Sequence, residues 1–206
     1  MRSAVVIGVD VGGKNKGFHA VAFRAGRFFD KAAGCDAREI AEWCRTLNAS
    51  VIGIDAPCRW SRTGKRRPCE RELAGLGISA FSTPSLAVGQ VHPFYDWMLN
   101  GAELFRLLAP YYPLYNGRSL PLNPTSFETF PHAIACALAG KKLSAKEKRL
   151  DRRRLLALAG INTDSFTNID EVDAALCAVT AQRFLAGTFK AYGDDAEGFI
   201  VVPSPS

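Results

Sequence analysis

Five acidic side chains occupy positions from which a carboxylate can act on a substrate. Asp10 and Asp55 each end a run of apolar residues, and Glu128 lies near the end of another, in the segment SFETFP. Asp170 and Asp173 are three residues apart in NIDEVDAALCAVTA, so a helix places them on one face. Partly buried carboxylates repel one another unless a cation or a proton compensates. Such a cluster suits two-metal hydrolysis of a phosphodiester, in which Mg²⁺ or Mn²⁺ ions about 3.5–4 Å apart bind carboxylate oxygens.

Each acid, taken singly, is also compatible with a structural role. Asp55 precedes an Ala-Pro pair, where a carboxylate can cap a turn. Asp170 can stabilise the positive N-terminus of its helix. Several acids that all stand at strand ends or on the first turn of the last helix are harder to explain by separate structural roles. The combination favours the catalytic interpretation.

The opening segment VIGVDVGGKN has a second interpretation. A strand that ends on an acid and enters a glycine pair is also typical of actin-like and sugar-kinase ATPases, whose loop cradles a nucleotide phosphate. Those enzymes need a second, similar domain and a second glycine-rich loop, for which 206 residues leave no room. Neither GxxxxGK[ST] nor GxSxG occurs, so a P-loop and a serine hydrolase are not indicated. A module that binds nucleic acid or protein without cleaving it is the third possibility.

The positive charge of the chain is concentrated in two segments. Of a net charge of +6, residues 59–72 contribute six basic and two acidic side chains, and residues 141–154 contribute eight basic and two acidic. Two basic patches on an otherwise acidic body favour a polyanion such as DNA or RNA, because phosphate neutralisation releases counterions. An ordinary solvated surface is the alternative. The nucleic-acid-binding candidates, drawn from the glycine loop and the first basic segment, are Lys14, Lys16, Arg62, Lys65, Arg66, Arg67 and Arg71.

Flat side chains are frequent in residues 58–122. They are Trp60, Phe81, His92, Phe94, Tyr95 and Trp97. Aromatic rings can stack unpaired bases, but they also commonly fill a small satellite core. The sequence leaves both interpretations open.

Composition restricts the class of protein and its location. At 48% hydrophobic and 22% charged residues, the chain can bury an ordinary core. No apolar run approaches the roughly 20 residues that span a bilayer, so no membrane partner is expected. The N-terminal apolar run ends in an acid, which argues against a signal peptide. The six cysteines include no CxxC pair, so a disulfide framework is not indicated, and the three histidines lack the spacing of zinc ligands. We expect a cytoplasmic protein.

The elements that must position the acids follow from the hydrophobic pattern. Apolar runs at 4–11, 17–24 and 27–31 predict an antiparallel meander. Asp36 is the expected N-cap of a helix that crosses over to a strand at 50–55, parallel to the first. Residues 58–122 contain six of the eleven prolines and are predicted to be an insertion. Beyond it we expect a strand at 125–129, helices at 131–139, 145–159 and 168–186, the last capped by Asn168, and a strand-like run at 197–203.

Six segments together resemble the DUF429 family of predicted nucleases, in the branch of the ribonuclease H-like superfamily that contains Holliday-junction resolvases. They are IGVDVGG…GFHAVAF, VIGIDAP, RRPCERE, FETFPHAI, IDEVDAALCAVTA and YGDDAEGFIVVP, and they span nearly the whole chain. The resemblance implies a single α/β domain over residues 1–206: a ribonuclease H-like mixed five-stranded sheet with antiparallel first three strands, flanked by helices and carrying the insertion.

The resemblance also implies divalent-metal-dependent nuclease activity with two Mg²⁺ or Mn²⁺ ions. By this analogy Asp10 is the central metal bridge, Asp55 and Glu128 are further ligands, and Asp173 closes the site with Asp170 beside it. Asp10, Asp55, Glu128 and Asp173 are then the catalytic candidates. The chain departs from relatives that follow the first acid with an aromatic residue, because its glycine loop carries two lysines instead.

Overall fold

The computed structural model describes residues 3–118 and 124–204 of the chain. Its strands are β1 (Val5–Val11), β2 (Phe18–Arg24), β3 (Arg27–Gly34), β4 (Ala49–Asp55), β5 (Thr125–Glu128), β6 (Phe189–Asp194) and β7 (Gly198–Pro203). They form one sheet in the order β3-β2-β1-β4-β5-β7-β6.

Seven helices surround this sheet in the described ranges. They are α1 (Ala37–Thr46), α2 (Pro68–Gly75), α3 (Leu86–Val91), α4 (Asp96–Leu108), α5 (Pro131–Ala139), α6 (Lys148–Leu158) and α7 (Ile169–Leu185), with short 3₁₀ turns at Pro93–Tyr95 and Ala145–Glu147. Among them, no helix is long and apolar enough to cross a membrane.

The strand connections give the sheet a ribonuclease H-like topology. Strands β1, β2 and β3 form an antiparallel meander, as predicted. Helix α1 then crosses over to β4, which is parallel to β1 and directly beside it, and β5 is parallel to β4. The resulting order 3-2-1-4-5 confirms the predicted fold class. The carboxyl ends of β1, β4 and β5 therefore lie together at one edge of the sheet.

The sheet has seven strands rather than the predicted five. Strand β7 pairs with β5 and accounts for the strand-like run at 197–203, whereas β6 was not predicted. Its sequence FKAYGD lacks a buried face, because most of its side chains are half-buried and the others are exposed. An edge strand of this kind shows no clear alternation of apolar and polar residues, so the hydrophobic pattern does not mark it.

Helix α7 forms one layer of the core and is the helix that carries two of the candidate acids. It packs across β1 and β4 in a cluster that includes Val6, Phe127 and Phe184. The approach is so close that a methyl group at Gly8 would overlap the carbonyl oxygen of Ala174. Because α7 is held by close packing on β1, its first turn has a fixed position relative to the end of that strand.

The opposite face of the sheet is covered by α1 and by α4, which belongs to the insertion. Leu104 and Leu108 of α4 join Ile40 of α1 and Ile52 of β4 in a second core cluster. The described part of the insertion thus shares a core with the sheet, and it also contains α2 and α3. Residues 119–123 of the predicted insertion lie outside the described residues.

The predicted helix boundaries agree with the structure at the capping residues. The Asp36 side chain accepts a hydrogen bond from the Arg38 amide at the start of α1. The Asn168 side chain accepts one from the Glu171 amide at the start of α7, at 2.8 Å. The basic helix begins at Lys148, after the 3₁₀ turn that occupies the start of the predicted range.

Replacing Asn168 by alanine is expected to lower the free energy of unfolding by about 1 kcal/mol, because the Glu171 amide loses its capping oxygen. Urea unfolding followed by circular dichroism measures the change. Asn162→Ala is the control, since Asn162 bonds the Asp164 amide in an exposed turn rather than at a helix start. A loss in Asn168→Ala no larger than in the control would show that the cap contributes nothing specific.

Candidate active site

Asp10 and Asp55 lie side by side at the carboxyl ends of β1 and β4. The two residues are directly paired in the parallel register of these strands. Two carboxyl groups placed side by side in a buried place repel each other unless one carries a proton or a cation binds between them. The sequence prediction that these two acids meet is thereby confirmed.

The acids of α7 approach the same point from above the sheet. Burial, followed by the negative charges of Asp173 and Asp170, raises the pKa of Asp10 to about 7. Burial is also the largest cause that raises the pKa of Asp55 well above its ordinary range, followed by the charges of Asp10 and Asp173. The raised pKa values of Asp10 and Asp55 thus reflect burial together with repulsion among the negative charges of four neighbouring acids.

Two of these acids are paired with basic side chains. Lys16 Nζ contacts Asp170 Oδ1 at 2.8 Å, and the lysine is mostly exposed. The Arg152 guanidinium forms a buried ion pair with Asp173. Burial still raises the pKa of Asp173, although Arg152 opposes it. Arg152 lies one helical turn after Lys148, which lines the same cleft as the acids.

Arg152 and Lys148 were absent from the candidates chosen from the sequence. Both belong to the second basic segment, which was recognised only as a patch. The two residues are four apart on a predicted helix, so they share one helical face. This spacing is the sequence signal that could have identified them as candidates.

Glu128, the third strand-end acid, is held by an ion pair. Its Oε1 lies 2.5 Å from Nη2 of Arg67, and its Oε2 lies 2.9 Å from Nη1 of the same residue. The Cys58 amide donates a further hydrogen bond to Oε2 at 2.8 Å. Both carboxylate oxygens are therefore engaged within the protein.

Arg67 does not lie on the surface expected of a nucleic-acid-binding residue. It is 1% exposed, and its Nε contacts Glu70 Oε1 at 2.9 Å in addition to the pair with Glu128. Glu70 in turn accepts a hydrogen bond from the Thr83 hydroxyl. Arg67 thus joins the insertion to β5 and is unavailable to a phosphate, which corrects its place among the basic candidates.

The other basic candidates lie at the surface. Lys14 is exposed and contacts Asp96 Oδ2 at 3.5 Å, a distance at which water screens the charges strongly. Arg71 donates to the Arg66 carbonyl oxygen. The exposed members of the set are Lys14, Lys16, Arg62, Lys65, Arg66 and Arg71.

A cleft of about 340 Å³ contains all five candidate acids. The glycine pair that follows Asp10 forms part of its wall, and the insertion contributes Phe81 and Trp97. Acidic, basic and aromatic side chains thus line one cavity at the carboxyl edge of the sheet, where open α/β sheets bind their ligands.

Comparison with known proteins decides the family. The sequence matches the family described as "Protein of unknown function (DUF429)" over residues 8–198. The chain belongs to the DUF429 family. It is also similar to the Thermus thermophilus RuvC structure, at 15% identity and a TM-score of 0.44, with 88% of this chain and 95% of that chain covered. No curated protein matches.

The acids of this DUF429 protein fit a divalent cation by their chemistry rather than by their present arrangement. Within residues 3–118 and 124–204, no group of three or more His, Cys, Asp or Glu side chains is arranged as a metal site. Three of the five acids are instead paired with Arg152, Lys16 and Arg67. Asp10 and Asp55 together offer four oxygens of the type that Mg²⁺ and Mn²⁺ prefer, in a place where a cation would relieve their repulsion.

Proposed function

We propose that this DUF429 protein is a nuclease that hydrolyses phosphodiester bonds of DNA or RNA with Mg²⁺ or Mn²⁺. The observation that carries the proposal is the pairing of Asp10 with Asp55 at adjacent strand ends, in a cleft that the acids of α7 also line. Bringing carboxylates together in a partly buried place destabilises the fold. A nuclease needs such a cluster to bind its metal ions, which explains why the protein has it.

Asp10 and Asp55 are the proposed metal ligands at the base of the cleft. Asp170 and Asp173, which line the same cleft, are the further proposed ligands, and in the metal-free protein they pair with Lys16 and Arg152. When bound, two such ions would supply an activated water and stabilise charge on the leaving oxygen. Glu128 stays a predicted ligand, but its engagement with Arg67 assigns it in our proposal to positioning the insertion at the mouth of the cleft.

Lys16 and Lys148 are the proposed phosphate contacts within the cleft. Both line it, and Lys16 already contacts a carboxylate that a phosphate oxygen can replace. Arg62, Lys65 and Arg66 extend the positive surface along the insertion. Binding through such contacts falls with rising salt concentration.

A binding module without catalysis is the second candidate. The observation that favours it is that three of the five acids are neutralised by basic side chains, as in a stable structural network. A binding module needs no metal, whereas a nuclease does, so the effect of Mn²⁺ on thermal stability separates the two.

The deciding experiment is cleavage of labelled single-stranded, duplex and branched DNA and of RNA, with Mn²⁺ and then Mg²⁺. We expect the wild type to cleave at least one substrate and Asp10→Asn to fall to the level of the metal-free reaction. Asp195→Asn, which changes an exposed acid in the β6–β7 turn, is the matched control and should cleave like the wild type.

The same samples, heated with and without Mn²⁺, give a readout that does not depend on finding the substrate. A rise in Tm with Mn²⁺ that Asp10→Asn lacks supports the proposal even where cleavage is absent. Neither cleavage nor stabilisation by Mn²⁺ or Mg²⁺ in the wild type would rule the nuclease out and favour the binding module.

A further inference from the structure

We propose that Phe81 and Trp97 form a wall on which an unpaired nucleobase of the substrate stacks, so that the protein acts on unpaired DNA or RNA rather than on a continuous duplex. This inference rests on the proposed function for the position of the phosphate beside the carboxylates. Its first support is location, because both rings line the cleft that contains Asp10 and Asp55.

Phe81 is a large apolar side chain that stays exposed in the folded domain. It is 62% exposed, and it faces the cleft in an edge-to-face contact with Trp97, at 6.0 Å between ring centroids and 61° between planes. Phe94 contacts it in the same manner, at 5.7 Å and 68°. Contacts of this geometry hold a ring by its edge or on one side and do not sandwich it, so they leave aromatic surface for a ligand.

Trp97 gives the wall a rigid support. It is half-buried and packs against the core cluster that α1 and α4 form with the sheet. A ring held in this way loses little conformational entropy when a base stacks on it, whereas a freely moving ring loses more. The satellite-core interpretation of the insertion therefore holds for Trp97 but not for Phe81.

The charges of the cleft identify the ligand that the aromatic wall fits. Lys16 and Lys148 lie in the same cavity, and exposed arginines and lysines follow along the insertion. Basic side chains that contact the phosphate backbone, combined with aromatic platforms, form the arrangement that binds single-stranded nucleic acid. A purely apolar ligand would make no contact with the lysine charges, and a duplex hides the faces of its bases within the stack.

The dimensions of the cleft point to the same ligand. Its volume of about 340 Å³ is at the lower end of the range for small-molecule sites, which suits one nucleotide and not a helix. With a phosphate at the lysines, the base of the adjoining nucleotide has the aromatic wall of the same cleft within its surroundings.

The test measures binding by fluorescence anisotropy in EDTA, where no cleavage occurs. The probes are a short labelled single strand, as DNA and as RNA, the same strand with abasic positions, and the matching duplex. We expect Phe81→Ala to weaken binding of the intact strand about tenfold, because the variant loses the ring on which a base stacks, and to leave the abasic strand unchanged. Tyr111→Ala removes an aromatic side chain that is 48% exposed and outside the cleft, and it should bind like the wild type.

Three results would overturn the inference: equal weakening of intact and abasic strands in Phe81→Ala, duplex bound as tightly as single strand, or no binding of any strand. The last would assign the wall to an apolar or protein ligand. Because binding is measured without metal, its outcome is separate from that of the cleavage assay. Base-dependent binding with neither cleavage nor stabilisation by Mn²⁺ or Mg²⁺ would retain the stacking wall and reject the nuclease, and cleavage with base-independent binding would do the reverse.

Discussion

Arg67→Met is expected to destabilise the protein by about 3–5 kcal/mol, because it removes the partner of two buried carboxylates at once. Glu128 and Glu70 are both buried, and both contact the Arg67 guanidinium. Breaking a buried ion pair from one side leaves uncompensated charge in a poorly solvated place, and this costs more than the intact pair contributes. Urea unfolding, monitored by far-ultraviolet circular dichroism, gives the free energy of unfolding.

Arg71→Met is the matched control for this substitution. Arg71 lies one turn further along α2, is exposed, and donates to the Arg66 carbonyl oxygen, so its loss should change stability by less than about 0.5 kcal/mol. If Arg67→Met costs no more than the control, the buried network does not join the insertion to β5.

The double variant Arg67→Met with Glu128→Gln separates charge from packing. It is expected to recover part of the loss, since one of the two unpaired charges is then removed. It also keeps the test informative where the single variant folds too poorly to measure. No recovery would show that the volume and hydrogen bonds of Arg67 matter more than its charge.

The positions of the strand-end acids were predictable because the signals that place them are local. An apolar run that ends on an acid marks the end of a buried strand, and the short turns at 12–17 and 25–26 leave only an antiparallel meander for the first three strands. The crossover helix then makes β4 parallel to β1, which brings Asp10 beside Asp55. The capping residue Asn168 likewise fixed the start of α7 and hence the face on which Asp173 lies.

The partners of the acids were not predictable, because they depend on contacts between distant segments. Arg67 stands in a basic run that is typical of a surface, yet its guanidinium meets Glu128, 61 residues later. One local signal was present: Pro68 opens a helix in which Glu70 reaches back to the Arg67 amide, as in a capping box. Such a motif fixes the conformation of the residue before the helix. A side chain whose backbone is fixed in this way can be buried, and this is the case for Arg67.

Asp10→Asn is expected to make the metal-free protein more stable than the wild type at pH 8, by about 2 kcal/mol. In the folded wild type, burial and the neighbouring acids raise the pKa of Asp10 to about 7, whereas in the unfolded chain it is near the ordinary value of 3.8. The folded state therefore binds the proton more tightly, and stability falls as pH rises from about 4 through about 7. The full pKa difference of about 3 units corresponds to about 4 kcal/mol, and partial exposure of the side chain reduces this by about half.

Urea unfolding in EDTA at pH 4.5 and pH 8 measures this difference. At pH 4.5 the two proteins should be nearly equally stable, and Asp195→Asn should follow the wild type at both pH values. A smaller decline with pH should persist in Asp10→Asn, because burial is the largest cause of the raised pKa of Asp55 and remains in the variant. A variant less stable than the wild type at pH 8 would mean that the ionised Asp10 carboxylate stabilises the metal-free fold.

Mn²⁺ is expected to reverse the order of stability of the two proteins. At a concentration one hundred times its Kd, an ion that binds only the folded wild type adds about 2.7 kcal/mol, and Asp10→Asn should gain little of this because it has lost the central pair of carboxylates. The repulsion that weakens the metal-free wild type is the same interaction that gives the cation its binding site. If Mn²⁺ stabilises both proteins equally, it binds elsewhere, and the carboxylates at the ends of β1 and β4 form a buried pair that shares a proton.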